Sequence, residues 1–588
     1  MASSQLPFRD NPNGSVAVHD DAADTGSADN ENHHAESLNS NVAAHVHAAG
    51  DASSDDKHEP TEEAKYSNPV NGHFPPQPSL GPPFDLMEEQ RGKIRWAPGY
   101  DAVPDPIMVE NIDVAAIKNV VAAHIHLVGL DKDDFEVEYF AEGDFNILYT
   151  VRKASQPPGS GTEYIFRVSL PTYPWHKVES EIATMELVRM YTNIPVPRVY
   201  VYDSDADNPV GYEWMMMDKV KGIPFREARE AMDMEQKTKL AHTLADWMHQ
   251  LSTLRFGKIG SVYRRRLKPA TSKNDFKVGP IVDMAFMADW RLSYKLHRGP
   301  YTSIEQFLRA IIDVNHADVL EGRQKMRSDF CVARKELEWL TCNLDDCDKY
   351  DRKTIAEFQE QWASQPPESK QARIDQLRNK VTMYEENVPE AENTIFHGRP
   401  RYDLGDPGDE LDRTRNLFQR LSTQCRALLY MVPHLCPAEI LSESSTVLHH
   451  WDVSANNVLI DPASGTAVAL IDWEQVQTLP YSLIHPFPSA IDDRYDMTVP
   501  PNPPATDADE HFHYTYKVNL AYYENSLLRK AFRQRLEELQ SPHLEAFEER
   551  EPDLKDLLAL ARYADQICMK NRIKELVEKL EEEIGRGF

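Results

Sequence analysis

Residues 447–474 constrain the fold of this chain more than any other segment. Two short apolar runs, 458–461 and 466–471, flank the turn sequence Pro-Ala-Ser-Gly and predict a β-hairpin. Folding the hairpin about Ser464 and Gly465 brings Asn457 opposite Asp472, because each lies seven residues from that pair. Directly opposed residues of an antiparallel pair are about 5 Å apart at Cα. We therefore expect these two side chains to face each other.

An amide oxygen and a carboxylate at this distance can share one hard cation such as Mg²⁺, which prefers a few protein oxygens together with substrate phosphates. Asp452 lies five residues before Asn457, on the loop that leads into the hairpin. Its carboxylate can accept a proton from an attacking hydroxyl there. The three residues predict a phosphoryl-transfer site of the kinase type.

The pattern His450-x-Asp452-x-x-x-x-Asn457, followed by an apolar hairpin and Ile-Asp-Trp-Glu, resembles the aminoglycoside phosphotransferase family. These proteins are also described as choline-kinase-like small-molecule kinases. The matching parts of protein kinases are the catalytic loop and the metal-binding Asp-Phe-Gly segment. The resemblance implies Asp452 as catalytic base, Asn457 and Asp472 as magnesium ligands, and His450 as a structural anchor of the loop. It also implies ATP and Mg²⁺ as cofactors.

The resemblance implies an α+β fold of the bilobal protein-kinase type, with a small antiparallel-sheet N-lobe and a large helical C-lobe. The expected divisions are a disordered acidic tail over 1–92, the N-lobe over 93–222, the helical C-lobe over 223–485 with an insertion around 320–400, and a helical extension over 486–588 packed on the C-lobe. The tail has few aliphatic residues, so it cannot bury enough surface to offset its chain entropy. Apolar residues at helical spacing predict one docking helix over 554–584.

A turn containing Gly143 separates two predicted strands, 135–139 and 146–152. Kinase-like lobes use such a turn to cover nucleotide phosphates with backbone N–H groups. An ordinary hairpin turn has the same pattern, so both interpretations stay open at this point. The spacing Gly143-x-x-Asn146 is nonetheless similar to the loop of the family, and the resemblance implies that Gly143 and Asn146 bind nucleotide.

Arg167 lies in the third predicted strand, where kinases place a lysine that pairs with phosphate. Arginine departs from that pattern, although it also binds phosphate in bidentate fashion. The following helix carries Glu181, with apolar neighbours Met185 and Val188 on the same face. Because a buried arginine needs a counter-charge, we predict an Arg167–Glu181 ion pair; a surface glutamate is the alternative.

The segment 215–222, Met-Met-Met-Asp-Lys-Val-Lys-Gly, is similar to the family's connection between lobes. The resemblance implies that the backbone of Asp218 and Val220 pairs with adenine. The three methionines are equally compatible with plain core packing.

Composition limits the partners and the compartment. The formal net charge of −31 argues against nucleic acid and anionic membranes, because both need clustered Lys and Arg. The six cysteines are sparse and irregularly spaced, which favours free thiols in a reducing compartment. No apolar run approaches membrane-spanning length, and the N-terminal segment lacks the apolar core of a signal peptide. We predict a cytoplasmic protein with a small hydroxyl-bearing substrate, and the oligomeric state stays open.

Three functions compete at this point. The first is an ATP- and Mg²⁺-dependent phosphotransferase that acts on a small-molecule hydroxyl, with Asp452 as base. The second is a kinase-fold protein that binds nucleotide or a partner without turnover. The single glycine of the turn, Arg167 in place of lysine and the large insertion favour this alternative. A protein kinase is disfavoured, because Ile-Asp-Trp-Glu replaces Asp-Phe-Gly and no Ala-Pro-Glu segment follows.

Overall fold

The structure is a computed structural model. It describes residues 90–98, 104–109, 111–266, 270–288, 291–294, 296–320, 336–337, 339–341, 355–356, 358–360, 362–363, 366–379, 407–436, 440–492, 496–504, 510–548, 552–562, 564 and 570–586. Nearly all of the predicted tail, residues 1–92, lies outside this set. The predicted insertion around 320–400 is described in part, and Leu340, Ile374 and Leu377 form a small buried apolar cluster there.

The first part of the chain contains a two-stranded antiparallel sheet, a five-stranded antiparallel sheet and two α-helices. Its elements are β1 (Ile94–Pro98), β2 (Pro104–Met108), α1 (Val114–His124), β3 (Glu136–Glu142), β4 (Asn146–Arg152), β5 (Tyr164–Ser169), α2 (His176–Tyr191), β6 (Val199–Asp203) and β7 (Glu213–Asp218). Strands β3 to β7 make one sheet in the order β3-β4-β5-β7-β6, and every neighbouring pair is antiparallel. One face of the sheet packs on α1 around Val151, Phe166 and Trp214.

The second part is mainly helical. Its elements are β8 (Ile223–Pro224), α3 (Phe225–Ala228), α4 (Met234–Ser252), β9 (Arg255–Phe256), β10 (Ser261–Arg264), β11 (Phe276–Gly279), α5 (Met284–Met287), α6 (Ile304–Leu320), α7 (Pro407–Leu435), β12 (Thr446–His449), β13 (Val458–Asp461), β14 (Thr466–Leu470) and β15 (Gln477–Leu479). Helix α4 begins with a capping box, in which Asp233 and Gln236 each bond the other's backbone N–H. A small sheet followed by helices confirms the predicted α+β class.

The hairpin β13–β14 is present, but its register differs from the prediction. Val458 pairs with Leu470, whereas Ile460 pairs with Ala467, so the pairing shifts within the hairpin. Such a bulge adds one unpaired residue to one strand. The N–H of Ile471 consequently donates to the carbonyl oxygen of Asn457 at 3.0 Å. Asn457 therefore lies opposite Ile471, and the prediction that it lies directly opposite Asp472 was wrong by one residue.

The C-terminal extension consists of α8 (Glu510–Glu538), α9 (Pro552–Arg562) and α10 (Lys570–Arg586). Helix α8 lies along α4, where Lys237 Nζ and Glu524 Oε1 form a buried ion pair of 2.8 Å. Apolar residues of α9 and α10 share one core with α6 and α7, among them Leu557 and Leu580. The described helices of the extension thus pack on the helical region. The single helix expected over 554–584 was wrong, because Ala564 lies in a turn between two helices.

None of the described helices is long and apolar enough to cross a lipid bilayer.

Candidate active site

The catalytic loop joins β12 to β13 and holds its polar residues by short contacts. Nδ1 of His450 accepts a hydrogen bond from the backbone N–H of Asp452 at 3.1 Å. The Asn457 amide nitrogen donates to Asp452 Oδ2 at 2.6 Å and to Asp452 O at 3.0 Å. Asn457 is buried and Asp452 is exposed. The Asp452 carboxylate therefore faces solvent, while the hydrogen bond from the buried Asn457 amide fixes its orientation.

His450 is the first residue of the loop and is buried. Its ring meets the indole of Trp473 edge to face, with 4.9 Å between ring centres. Burial lowers the pKa of His450 to about 4, although the backbone at Ile471 and Asp472 acts in the opposite direction. The ring is neutral near pH 7, and Nδ1 accepts from Asp452, so the proton resides on Nε2.

Asp472 combines a left-handed backbone conformation with a buried carboxylate. Its backbone has φ of 62°, a left-handed conformation that aspartate adopts more readily than most residues. None of the described residues donates a hydrogen bond to its buried Oδ1 atom. Burial, together with the negative charges of Glu474 and Glu181, raises the pKa of Asp472 well above its usual value, against the effect of Arg167. This oxygen lacks the partner that a buried carboxylate needs.

Arg167 and Glu181 form the predicted ion pair. Nη1 of Arg167 donates to Glu181 Oε1 at 2.8 Å, and Nη2 donates to Oε2 of the same carboxylate. Arg167 is 5% exposed and Glu181 is 2% exposed, so the alternative of a surface glutamate was wrong. Burial alone would lower the pKa of Arg167, but Glu181, Glu474 and Asp472 raise it above its usual value. The guanidinium therefore remains charged beside the carboxylates of Asp472 and Glu474.

Sequence reasoning missed a second buried cation, Lys177. Its Nζ lies 3.0 Å from Glu474 Oε2 and donates to Asn146 Oδ1 at 3.0 Å and to the Phe145 carbonyl at 3.3 Å. Burial alone would raise the pKa of Glu474, but Lys177 and Arg167 lower it below its usual value. A signal was available in the sequence. Lys177 precedes Glu181 by four residues on α2, which places both on one helix face.

The structure places Asn146 at the start of β4 and within this network. Its amide nitrogen donates to Glu474 Oε2 at 3.1 Å, and its Oδ1 also accepts from the Ser169 hydroxyl at 2.9 Å. The backbone N–H of Gly143 donates to the Asn146 carbonyl at 2.9 Å and closes the turn. A Cβ atom added at Gly143 would meet no heavy atom within 4 Å, so the turn borders open space. A nucleotide-binding role for these two residues stays a prediction.

Asp218 and Val220 lie at the end of β7 and just beyond it. The N–H of Asp218 donates to the Arg198 carbonyl at 3.0 Å, and its carboxylate accepts from the Arg198 N–H and the Tyr200 hydroxyl. The Asp218 carbonyl is therefore the backbone atom of this residue that adenine could meet. Val220 is half-buried on the segment that leads to β8. The pairing of both residues with adenine stays a prediction.

The donor atoms of the site suit a hard divalent cation. Asp472 offers a buried oxygen without a hydrogen-bond donor, and Asn457 turns its nitrogen toward Asp452, which leaves Oδ1 for another partner. Glu474 and Glu181 add negative charge beside Asp472. No group of three or more His, Cys, Asp or Glu in the described part of the chain could hold a metal. One amide and one carboxylate suit Mg²⁺ bound mainly by phosphate oxygens and water.

This combination of a small antiparallel sheet, a helical region and an Asp–Asn–Asp site between them defines a protein of the kinase-like phosphotransferase class. Residues 150–480 match the family model described as the phosphotransferase enzyme family, APH. The match covers more than half of the chain, and the chain belongs to this family.

Curated relatives are distant. A subtelomeric hrmA-associated cluster protein of Aspergillus fumigatus is 23% identical over 355 residues, which are 59% of this chain and 58% of the relative. The protein named altered inheritance of mitochondria protein 9, mitochondrial, of Lachancea thermotolerans is 20% identical over 429 residues, 68% of this chain and 57% of the relative. The chain thus spans less than two thirds of the length of both relatives.

Two solved structures cover most of the chain at low similarity. A choline kinase from Cryptosporidium parvum Iowa II is 13% identical and has a TM-score of 0.31, over 81% of this chain and 97% of the other. An aminoglycoside phosphotransferase in complex with GDP and kanamycin is 13% identical and has a TM-score of 0.30, over 80% of this chain and 99% of the other.

Proposed function

We propose that the protein transfers the γ-phosphoryl group of ATP to a hydroxyl of a small molecule, with Mg²⁺ as cofactor. The observation that carries the proposal is the contact between Asn457 and Asp452 beside the unpartnered oxygen of Asp472. A base, an amide and a second carboxylate are the groups that phosphoryl transfer requires close together.

Asp452 is the general base of this reaction. Its solvent-facing carboxylate accepts the proton of the acceptor hydroxyl while the hydroxyl oxygen forms a bond to the γ-phosphorus. The bond between that phosphorus and the β–γ bridging oxygen breaks, and ADP leaves. Asn457 holds the carboxylate in one orientation throughout, because its amide nitrogen contacts both the side chain and the main chain of Asp452. Positioning of this kind supplies much of the rate of such reactions.

Asn457 Oδ1 and the Asp472 carboxylate would hold Mg²⁺, which supplies charge neutralisation on the phosphate oxygens. Arg167 stays ionised through its two bonds to Glu181 and adds positive charge next to Asp472. The turn at Gly143 would cover the phosphates with backbone N–H groups, and the backbone of Asp218 and Val220 would receive adenine.

A second function has one specific observation in its favour. The Arg167 guanidinium is buried and two of its nitrogens bond Glu181, so little of it is left to contact a phosphate. A kinase-fold protein that binds nucleotide or a partner without turnover would be compatible with this arrangement. An exposed base that Asn457 orients argues for turnover, because a protein that only binds has no need of it.

Transfer of labelled phosphate from ATP distinguishes the two functions. The wild-type chain and Asp452→Ala are incubated with Mg²⁺, labelled ATP and pools of hydroxyl-bearing metabolites, and ADP release is followed in parallel. Asp452 is exposed, so the variant should fold as the wild type does. Phosphoryl transfer by the wild type at least about 100 times faster than by the variant supports the enzyme. ATP binding by both chains without transfer by either supports the binding protein.

The acceptor belongs to the class of small-molecule alcohols, and the family name assigns no antibiotic to it. Cytoplasmic localisation remains part of the proposal. The names of several relatives include the word mitochondrial. Fractionation of cells that express the tagged full chain tests the compartment, and recovery of the protein with mitochondria would refute the cytoplasmic assignment.

A further inference from the structure

The C-terminal extension touches the catalytic loop through Arg562, in the last turn of α9. The guanidinium carbon of Arg562 lies 4.8 Å from the ring centre of Trp451. Trp451 stands between the anchor His450 and the base Asp452 in the chain. A guanidinium at this distance from an indole face is attracted by the partial negative charge of the π face, and the two flat groups can pack closely.

Asp283 fixes the orientation of the Arg562 guanidinium. Nη1 donates to Asp283 Oδ1 at 3.0 Å, and Nη2 donates to Oδ2 at 2.7 Å. Asp283 is 2% exposed, so its charge has little solvent to stabilise it. Burial alone would raise the pKa of Asp283, but the Arg562 guanidinium lowers it below its usual value. Bidentate hydrogen bonding to a buried carboxylate restricts the orientation of the guanidinium plane.

Asp283 and its neighbour Met284 also contact the segment that follows Asp472 in the chain. The side-chain amide of Gln477 donates to Asp283 Oδ2 at 2.7 Å, and Gln477 pairs with His449 in the β12–β15 ladder. Gln475 Oε1 accepts from the backbone N–H of Met284, the residue after Asp283, at 3.2 Å. The same carboxylate thus anchors both Arg562 and the strand beside the catalytic loop.

Ring contacts determine where the indole of Trp451 lies. Its Nε1 is buried and none of the described residues accepts a hydrogen bond from it. The ring meets His449 edge to face at 4.8 Å between centres, and Arg562 packs against its face. Removing the guanidinium would therefore free the indole on one side. Because Trp451 is bonded directly to Asp452 in the chain, its movement displaces the base.

We propose that Arg562 is a positioning residue for the catalytic loop: held by Asp283, it fixes Trp451 and thereby the backbone that carries Asp452. The effect on turnover rests on the proposed function, whereas the effect on loop order does not. Helix α9 lies beyond residues 150–480, which match the phosphotransferase family. On this account the extension contributes a positioning residue to the active site.

Four full-length variants test this. Arg562→Met removes the guanidinium but keeps an unbranched side chain, and Arg562→Lys keeps the charge but not the planar fork. Asp283→Asn combined with Arg562→Met removes both charges, so that no buried carboxylate is left unpaired. Arg572→Met is the matched control, because Arg572 pairs with Asp556 on the exposed side of the same extension at 3.0 Å. Amide hydrogen exchange over residues 449–453, thermal unfolding, kcat and KM for ATP are measured for each.

We expect Arg562→Met to exchange the catalytic-loop amides at least about tenfold faster than the wild type. Its kcat should fall by about 10- to 100-fold, while KM for ATP changes by less than about threefold. The double variant should recover thermal stability but neither loop protection nor kcat, since Trp451 still lacks its partner. Arg562→Lys should recover part of both, and Arg572→Met should behave as the wild type.

Recovery of loop protection and kcat in the double variant would overturn the proposal, because Arg562 would then serve only to neutralise Asp283. Unchanged loop exchange in Arg562→Lys and Arg562→Met would overturn it as well. Failure of the proposed function is a separate result: the wild type would transfer no phosphate, and the hydrogen-exchange comparison would still decide whether Arg562 holds the loop.

Discussion

The amide nitrogen of Asn457 lies 2.6 Å from the carboxylate of Asp452, so that the residue predicted to bind the metal also orients the proposed base. One side chain thereby serves two groups of the site. Its nitrogen contacts Asp452, and its oxygen remains for the proposed cation shared with Asp472. Loss of this amide should disturb proton transfer and metal binding together.

Asn457→Ala tests this double role. We expect kcat to fall by about 100- to 1000-fold, because the base loses its orientation, and the Mg²⁺ concentration for half-maximal rate to rise. ADP release measured across a Mg²⁺ titration gives both quantities. Asn456→Ala is the matched control, since Asn456 is adjacent, of the same type and exposed. A fall in kcat with no change in the Mg²⁺ requirement would contradict the double role.

Asp472→Asn should stabilise the chain when Mg²⁺ and nucleotide are absent. The substitution removes a buried negative charge that Glu474 and Glu181 repel, and asparagine tolerates the backbone φ of 62° at this position. We expect a higher thermal unfolding midpoint for the variant without ligands. Addition of Mg²⁺ with ATP should raise the midpoint of the wild type and leave that of the variant nearly unchanged. A lower midpoint for the ligand-free variant would show that Asp472 has a partner that offsets its burial.

Lys177→Met should destabilise the chain by about 3–5 kcal/mol, the usual effect of leaving a buried charge without its partner. Lys177 is 1% exposed, and its loss would leave the buried Glu474 carboxylate without its lysine partner. Urea unfolding measures the free energy. Lys177→Met combined with Glu474→Gln should recover part of the loss, because both charges are then absent. If the double variant is no more stable than the single one, the pair with Glu474 is not the source of the effect.

His543 should make the extension sensitive to acid. Burial lowers the pKa of His543 from 6.5 to about 4, although its ring contacts the Pro486 carbonyl at 2.9 Å. The unfolded chain therefore binds more protons than the folded chain between these two values. The stability due to the neutral ring is complete above pH 6.5 and is lost as the pH falls toward 4, by about 2–3 kcal/mol. Unfolding of the wild type and His543→Gln at pH 7 and pH 4.5 should show the smaller loss in the variant. Equal losses would contradict this.

Local sequence patterns predicted the ion pair of the site correctly but not the hairpin register. The Arg167–Glu181 pair follows from a strand and the helix after it, where alternation and helical spacing determine which side chains face inward. The register of β13 and β14 depends on the centre of the turn, which lies between Ala463 and Ser464 because Asp461 pairs with Thr466. Folding about Ser464 and Gly465 placed the centre one residue too late, and the bulge, which no residue type marks in the sequence, leaves Asn457 one residue from the predicted partner.

Contacts between distant segments were beyond sequence reasoning for a different reason. Lys177 meets Glu474, and Arg562 meets Trp451, across long stretches of chain whose packing no periodicity reveals. A buried charge requires a partner, but composition offers many candidates and the fold selects one. The proposed catalytic residues were recognisable because the loop and the hairpin that carry them are continuous in sequence.

The position of Arg562 has a consequence for the newly made polypeptide. Translation delivers Trp451 and Asp452 well before α9, so the loop leaves the ribosome while its guanidinium partner has yet to be synthesised. Asp283 has already been synthesised, and its carboxylate lacks the Arg562 guanidinium at that stage. On this account a ribosome-bound chain that stops short of α9 carries every residue of the proposed phosphotransfer site but would turn over slowly, and full activity would require α9 to have emerged.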